Sequence, residues 1–438
     1  MNKLKNNKGS VAVVVIVAVL FIMSVSLTLY FAAVNRKNES LKQTEMIKAA
    51  YEKDVDKMDE LYATYEEQSL YIYTKQDLEN FRDRVNSGVS FAGKTVYLMN
   101  DIDLNPGKYT VANDGTITFD STAEQWIPIG TSTYNFDGTF EGNEHVISGL
   151  YITETTSNNQ GMFKKLNGVV KNITLDKGVI ISTLEATGVL VGTNNGTVEN
   201  IKNYNVIKSY SAVVGGIVGW NSGTVTECNN MANISRIDNS NNYNSEARIG
   251  GIIGQNLGIV KRCVNAGDIL GEGNHTGGIV GFNQNENTSI SSIEKCYNKG
   301  RITGYYVVGG IVGENYIGRI DACYNNGDIT SNNNSHAGGI SGETRFTSVL
   351  SNLYNIGKIT SNSQGGIVAI ALNDVTINNC YYLEGTATDI IRRVYSPTIT
   401  NSSSQTDSFM KSQAFVELLG TSNWMIKAGE NNGYPVLR

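Results

Sequence analysis

The stretch GGIVGENYIGRIDACYNNGDI, Gly309–Ile329, returns along the chain with its apolar and turn-forming positions kept. Copies of the frame GGIVGxNxGxIxxCxNxGxI begin at Gly188, Gly215, Gly250, Gly277, Gly309, Gly338 and Gly365, and a degenerate copy, GMFKKLNGVVKNITLDKG, begins at Gly161. Successive starts lie 27, 27, 35, 27, 32, 29 and 27 residues apart. The recurring minimum of 27 reads as the length of one structural unit, with the excess in surface loops. The two largest excesses fall in polar stretches, Arg236–Arg248 and Asn283–Ser291, as loop insertions should.

Alignment of the copies puts Ile173, Ile201, Cys228, Cys263, Cys296, Cys323, Leu353 and Cys380 in one column. A position shared by Ile, Leu and Cys is an interior apolar position, because free Cys behaves as a small buried hydrophobe. All five cysteines of the chain stand there without a CxxC pair, which argues against a disulfide framework and a zinc ribbon. GGIVG reads as a short strand that stacks Ile217, Ile252, Ile279, Ile311, Ile340 and Ile367, flanked by glycines at tight bends. A second strand carries Val198, Val225 and Val260, and a third carries Ile234, Ile269, Ile302, Ile329 and Ile359. Asn194, Asn221, Asn256, Asn283 and Asn315 sit at turns and suit a side-chain ladder running from copy to copy. No single coil can bury its apolar face alone, so neighbours must supply the stability. The expected fold is all-β, a parallel β-helix (β-solenoid) of about eight imperfect coils with helical caps. At ~4.8 Å per coil it would extend about 40 Å before caps.

These copies resemble the GLUG motif, a repeat of many bacterial cell-surface proteins, including the N-terminal parts of some immunoglobulin A proteases. The resemblance covers roughly Gly161–Gly385. It implies a β-helical solenoid at the cell surface and brings no catalytic residues with it. The flanks fit the same picture. In YTKQDLENFRDRVNSG, Thr74 reads as an N-cap with Asp77 three residues on, and Leu78, Phe81 and Val85 share one helix face. GKTVYLMNDIDL, WIPIG and FDGTFEGNEHVISGLYI read as strands that start the coil, while Trp424 and Tyr434 read as covers for the far end.

Residues 11–33 form an uncharged apolar run, long enough at ~1.5 Å per residue to span a ~30 Å hydrocarbon layer. Lys3, Lys5 and Lys8 precede it, which keeps the N-terminus cytoplasmic and the bulk outside. A cleaved secretory signal is the competing reading, but the run exceeds the usual ~7–15 apolar residues. Ile47, Tyr51, Val55, Met58, Tyr62 and Tyr65 continue as one face of a helix, uninterrupted by Pro or Gly. A basic leader ending in Gly, an apolar stretch and an amphipathic continuation resemble type IV pilins and pseudopilins. That resemblance implies cleavage after Gly9, with Ser10 as the new N-terminus. Most pilins carry Glu where Val14 stands here, and an ordinary signal anchor with a helical stalk explains the same pattern. The expected organisation is a basic leader over 1–9, a single-pass transmembrane helix over 10–34 and an amphipathic stalk over 35–70. A cap with lead-in coils over 71–160, the repeat solenoid over 161–385 and a C-terminal cap over 386–438 follow.

Only 17% of residues are charged, with 46 Gly and 4 Pro, which suits many short turns. The formal charge of -6 gives no electrostatic reason to expect nucleic acid. His145, His275 and His336 are scattered, and no catalytic, metal or cofactor motif is evident, so the chain reads as non-enzymatic. β-Helices can host polysaccharide-cleaving enzymes, which need clustered carboxylates. Asp101, Asp103, Asp137 and Glu141 are the densest candidates, though NDIDL and FDGTFEG also read as strand and turn pieces. The expected function is therefore adhesion to an extracellular glycan or protein, with a pilin-like filament subunit as one form of it. A tethered carbohydrate-active enzyme and a ligand-free envelope stalk are the alternatives. Exposed aromatics on the swollen loops, Tyr243, Tyr305, Tyr306 and Tyr316, are the candidate ligand contacts, against the plainer reading of scattered surface tyrosines.

Overall fold

The structure is a computed structural model that describes residues 15–26, 69–153, 157–237, 246–284, 291–332 and 335–438. The chain divides into two compact units, Met1–Ser69 and Leu70–Arg438. In the first, residues 15–26 form a helix with exposed apolar side chains such as Leu20 and Phe21. Among the described residues no helix is long and apolar enough to cross a membrane. Most of the stalk, the remainder of the apolar run, Gly9, Ser10 and Tyr243 lie outside the described residues.

The second unit is a parallel β-solenoid of about 11 turns. One coil shows the path. A strand at Ile253–Asn256 belongs to the first sheet, and Ile259–Lys261 with Val264–Asn265 belong to the second. Ile269–Gly271 lies in the third and His275–Gly277 in the fourth. Each strand pairs in parallel with its copy in the next coil, as in Ile253↔Val280, Val260↔Ile293, Ile269↔Ile302 and Thr276↔Val308. In the second sheet the register runs unbroken through Thr95, Thr139, Val169, Thr197, Thr224, Ile259, Ser292, Arg319, Val349, Thr376 and Thr398. The eight copies of the frame thus have two coils before them and one after. The first and last coils have a neighbour on one side only, which releases them from the consensus that a doubly stacked coil must keep.

GGIVG is not one strand. Val307–Gly309 ends the fourth sheet, Gly310 and Ile311 form a corner, and Val312–Tyr316 begins the first sheet of the next coil. The glycine is sterically required there. A Cβ on Gly310 would stand 2.1 Å from the Gly339 carbonyl oxygen and 2.5 Å from Asn325 Cγ, inside any tolerable contact. Ile311 projects into the core and is fully buried, as are its five partners at Ile217, Ile252, Ile279, Ile340 and Ile367.

The cysteine column is buried throughout, and burial pushes the Cys380 thiol up to about 12. A backbone feature aims it inward. The residue just before each member of the column, Asn172, Asn200, Glu227, Arg262, Lys295, Ala322, Asn352 or Asn379, has φ between 50° and 57°. This left-handed residue breaks the in–out alternation of the strand path and swings the following side chain into the core.

Two asparagine ladders flank the core. Asn194, Asn221, Asn256, Asn283 and Asn315 are linked Nδ2 to Oδ1 at 2.7 Å each. A second ladder joins Asn203, Asn230, Asn265, Asn298, Asn325 and Asn355 at 2.8 Å each. Each of the last five also donates to the carbonyl two residues on, closing the turn into the third sheet.

At the N-terminal end the helix Lys75–Asn86 is capped reciprocally by Thr74 and Asp77 and buries Leu78, Phe81 and Val85. The C-terminal segment departs from expectation. Its helices Asp407–Met410 and Gln413–Leu419, with the hairpin Trp424–Met425 and Val436–Leu437, cover a flank of the solenoid instead of its end. Between the inward Cys323 and Asn325, Tyr324 must face outward. Tyr297, Tyr324 and Tyr354 therefore stack along the outer surface at 4.6 and 4.9 Å between ring centroids. Trp424, Phe415 and Tyr434 cover that aromatic stripe, while the last coil keeps most of Ile391–Tyr395 and Thr398–Thr400 exposed.

Candidate functional site

The corner between the fourth sheet and the first sheet has an outer face, and polar side chains gather there. On the fourth-sheet wall the outward column reads Val213, Arg248, His275, Val307, His336 and Ser363. On the first-sheet wall it reads Thr193, Trp220, Gln255, Phe282, Glu314, Glu343, Ile370 and Arg393. The walls interlock diagonally. Arg248 Nη1 donates to Gln255 Oε1 of the next coil at 2.5 Å, and its guanidinium lies 4.8 Å from the Phe282 ring of the coil after that. One coil on, His275 lies 5.3 Å from Phe282 and places Nε2 2.7 Å from Glu314 Oε2.

The seam is most charged at Glu314 and Glu343, which occupy the same register position in adjacent coils and are both buried. Arg345 Nε lies 3.0 Å from Glu314 Oε1 and 2.7 Å from Glu343 Oε1. Burial, followed by the Glu314 charge, pushes Glu343 above the usual carboxylate range, and Arg345 offsets this only in part. Burial works against the Arg345 charge, but Glu314 and Glu343 together outweigh it. Burial and then Arg393 push His336 below the usual imidazole value. The rim of the seam is more open, with Trp220 at 36% and Tyr306 at 44% exposure. Chemically, the arrangement offers two adjacent buried carboxyls sharing one arginine, bordered by accessible aromatic faces.

Two of the expected contact tyrosines border this seam. Tyr306 packs edge-on against His336 at 5.8 Å, and Tyr316 packs against Phe346 at 4.8 Å, in register with Arg345. Tyr305 sits half-buried in the bend before the fourth sheet. The carboxylates near the N-terminal coils each hold hydrogen-bond partners of their own. Asp101 accepts from Val146 N at 2.9 Å and pairs with His145 Nδ1 at 2.9 Å. Asp103 accepts from Asn105 N and Tyr109 Oη, and Asp137 from Asn167 Nδ2. Burial opposes the Glu141 charge, but bonds from Asn172, Asn143 and Lys171 outweigh it. The seam itself escaped the sequence reading. Its one signal is the variable position of GGIVGxN, which holds Trp, Gln, Phe, Glu and Glu in consecutive copies where a loop would carry small polar residues.

The coils that carry His275 and Glu314 are also the ones with a known pattern. Residues 272–303 and 304–330 match the GLUG motif. Each GLUG match runs once round the solenoid, from the fourth-sheet wall to the third sheet. The chain is similar to a protein of Evansella cellulosilytica provisionally named a Gly-rich membrane protein, with 32% identity over 151 residues. It is also similar to halomucin of Haloquadratum walsbyi, with 32% identity over 102 residues. These matches cover 34% and 21% of this chain but only 15% and 1% of the relatives, so the likeness concerns a part of each. Among solved structures, a protein from Bacteroides ovatus provisionally named an immunoglobulin A1 protease aligns over 84% of this chain and 91% of its own, at 17% identity and a TM-score of 0.38.

Proposed function

We propose that this chain is a non-enzymatic adhesion or interaction protein of the bacterial cell surface. Its apolar N-terminal segment holds it in the membrane as a single-pass anchor, and its GLUG-bearing solenoid meets an extracellular glycan or protein. The observation that carries this reading is the rim of the seam. Trp220 and Tyr316 stand on hydrogen-bonded rungs, and Tyr306 lies in the bend before one with its carbonyl held by His336 N, so aromatic faces are presented from a rigid frame to an extended partner. The relative named a membrane protein supports the location. The test is a glycan and matrix-protein binding screen with the unit Leu70–Arg438. A ligand found there should bind at least tenfold more weakly to Trp220→Ala or Tyr306→Ala, and a ligand indifferent to both would contradict the assignment. The N-terminal segment extends the proposal to a minor pilin-like subunit, cleaved after Gly9. Mass spectrometry of protein from native cells should then show a methylated Ser10 start, whereas an intact Met1 would reject the filament role.

A second reading has one observation in its favour, the adjacent buried carboxyls of Glu314 and Glu343, of which Glu343 is pushed above the usual carboxylate range by burial. A tethered carbohydrate-cleaving enzyme would use Glu343 as its acid. Cleavage of any polysaccharide that is lost in Glu343→Gln would favour that reading over adhesion.

A further inference from the structure

Far from the seam in sequence, where the capping helix meets the lead-in coils, a cavity of about 330 Å³ opens beside Trp126 and Pro128. That volume is at the small end of the ~300–1,000 Å³ of ligand pockets, which suits one or two rings better than a long chain. Its apolar side is rigid. Trp126 Nε1 donates to the Met162 carbonyl at 3.0 Å, and the Arg82 guanidinium packs on the indole at 5.1 Å. Its polar side is built on Ser157, Gln160 and Lys164.

Gln160 is the decisive residue. Its side chain is 1% exposed, and its Nε2 donates to the Ser157 carbonyl at 2.7 Å, which fixes the orientation of the amide. Among the described residues that leaves Oε1 of this cavity-lining side chain as a buried acceptor with no partner. A buried acceptor left unsatisfied costs about 1–3 kcal/mol, so the site asks for an O–H or N–H donor from outside the chain. Lys164 Nζ donates to Ser157 Oγ at 2.5 Å and has no carboxylate partner among the described residues. Among the described residues no Asp or Glu lines the cavity. An aromatic wall, a fixed acceptor, hydroxyls and one unpaired cation together select a ring bearing hydroxyls and a single negative charge.

We propose that this cavity binds an acidic sugar of the hexuronate class. The ring's apolar face lies on Trp126 and Pro128, a hydroxyl donates to Gln160 Oε1, and the carboxylate pairs with Lys164 Nζ. The site is independent of the seam and would hold whichever reading of the seam is right.

Calorimetric titration of the full chain in detergent with an α-1,4-linked galacturonate tetramer, and with its neutral galactose counterpart, tests this. The uronate should bind at least tenfold more tightly than the neutral tetramer, and more weakly as salt is raised. Lys164→Gln should abolish that preference, and Gln160→Leu should weaken uronate binding at least tenfold. Lys164 is partly exposed, so its substitution gives a folded test even if Gln160→Leu unfolds the cap. No heat with the uronate up to millimolar concentration, equal binding of both tetramers, or an affinity within twofold in Lys164→Gln would each overturn the proposal.

Discussion

Asn298 makes three bonds in a place without room for water. It donates to Asn325 Oδ1 and to the Gly300 carbonyl and accepts from Asn265 Nδ2, all at 2.8 Å. Replacement by alanine strands one donor and two acceptors inside the solenoid. Asn298→Ala should therefore cost about 3 kcal/mol in urea unfolding of the Leu70–Arg438 unit. Cys323, in the neighbouring interior column, is an apolar filler, with weak bonds from Sγ to the Asp321 and Ile293 carbonyls at 3.3 and 3.6 Å and one accepted from Cys296 N at 3.3 Å. Cys323→Val should cost less than about 1.5 kcal/mol, and the opposite ranking would contradict the roles assigned to the two columns. At this scale much was legible. The exchange of Ile, Leu and Cys in one column marked it as interior, and the turn asparagines marked one ladder. The second ladder, in the Asn two places after the cysteine, was equally repetitive. It went unread because the same residue type also suits an exposed turn.

Between the inward Cys323 and Asn325, Tyr324 has no option but the outer surface, and that requirement shapes the C-terminal elements. The short helices of residues 407–419 and the strands at Trp424 and Val436 exist to cover the tyrosine stripe. Trp424 is fully buried against Tyr324 and Tyr354, with ring centroids 5.8 and 5.4 Å away. Trp424→Ala should lower stability by about 3–5 kcal/mol, and dye binding should report newly exposed aromatic surface. If the variant melts like the parent, the cap contributes nothing to the flank. The sequence showed that Trp424 and Tyr434 are covers but not what they cover, because the stripe is visible only once inward and outward positions are assigned. The same limit explains the fourth-sheet strand. Val213–Gly215 and its counterparts run without a break into GGIVG in the sequence, and only the packing of Gly310 against Asn325 shows that the chain turns a corner there. The seam was hidden more deeply, because its columns change residue type from coil to coil and leave no repeat to recognise.

Across the whole Leu70–Arg438 unit, stacking makes each column a continuous environment, so one ionisable column affects the stability of the molecule. Glu343 ionises less readily folded than unfolded. Between the ordinary glutamate value of ~4.3 and its raised folded value, the native state holds a proton that the unfolded chain has released. Stability therefore falls as pH rises through that window. Glu343→Gln, which carries no charge to bury, should melt above the parent at pH 7 and within error of it below about pH 4. A lower melting point at pH 7 would mean that the ion pair with Arg345 outweighs burial. The stacked, in-register solenoid itself is tested most directly by its thiols. All five cysteines lie in one interior column, so a thiol reagent with mass readout should modify none in the native protein and all five after urea unfolding. Rapid native labelling of even one would mean that the column is not interior and that the coils do not stack as described.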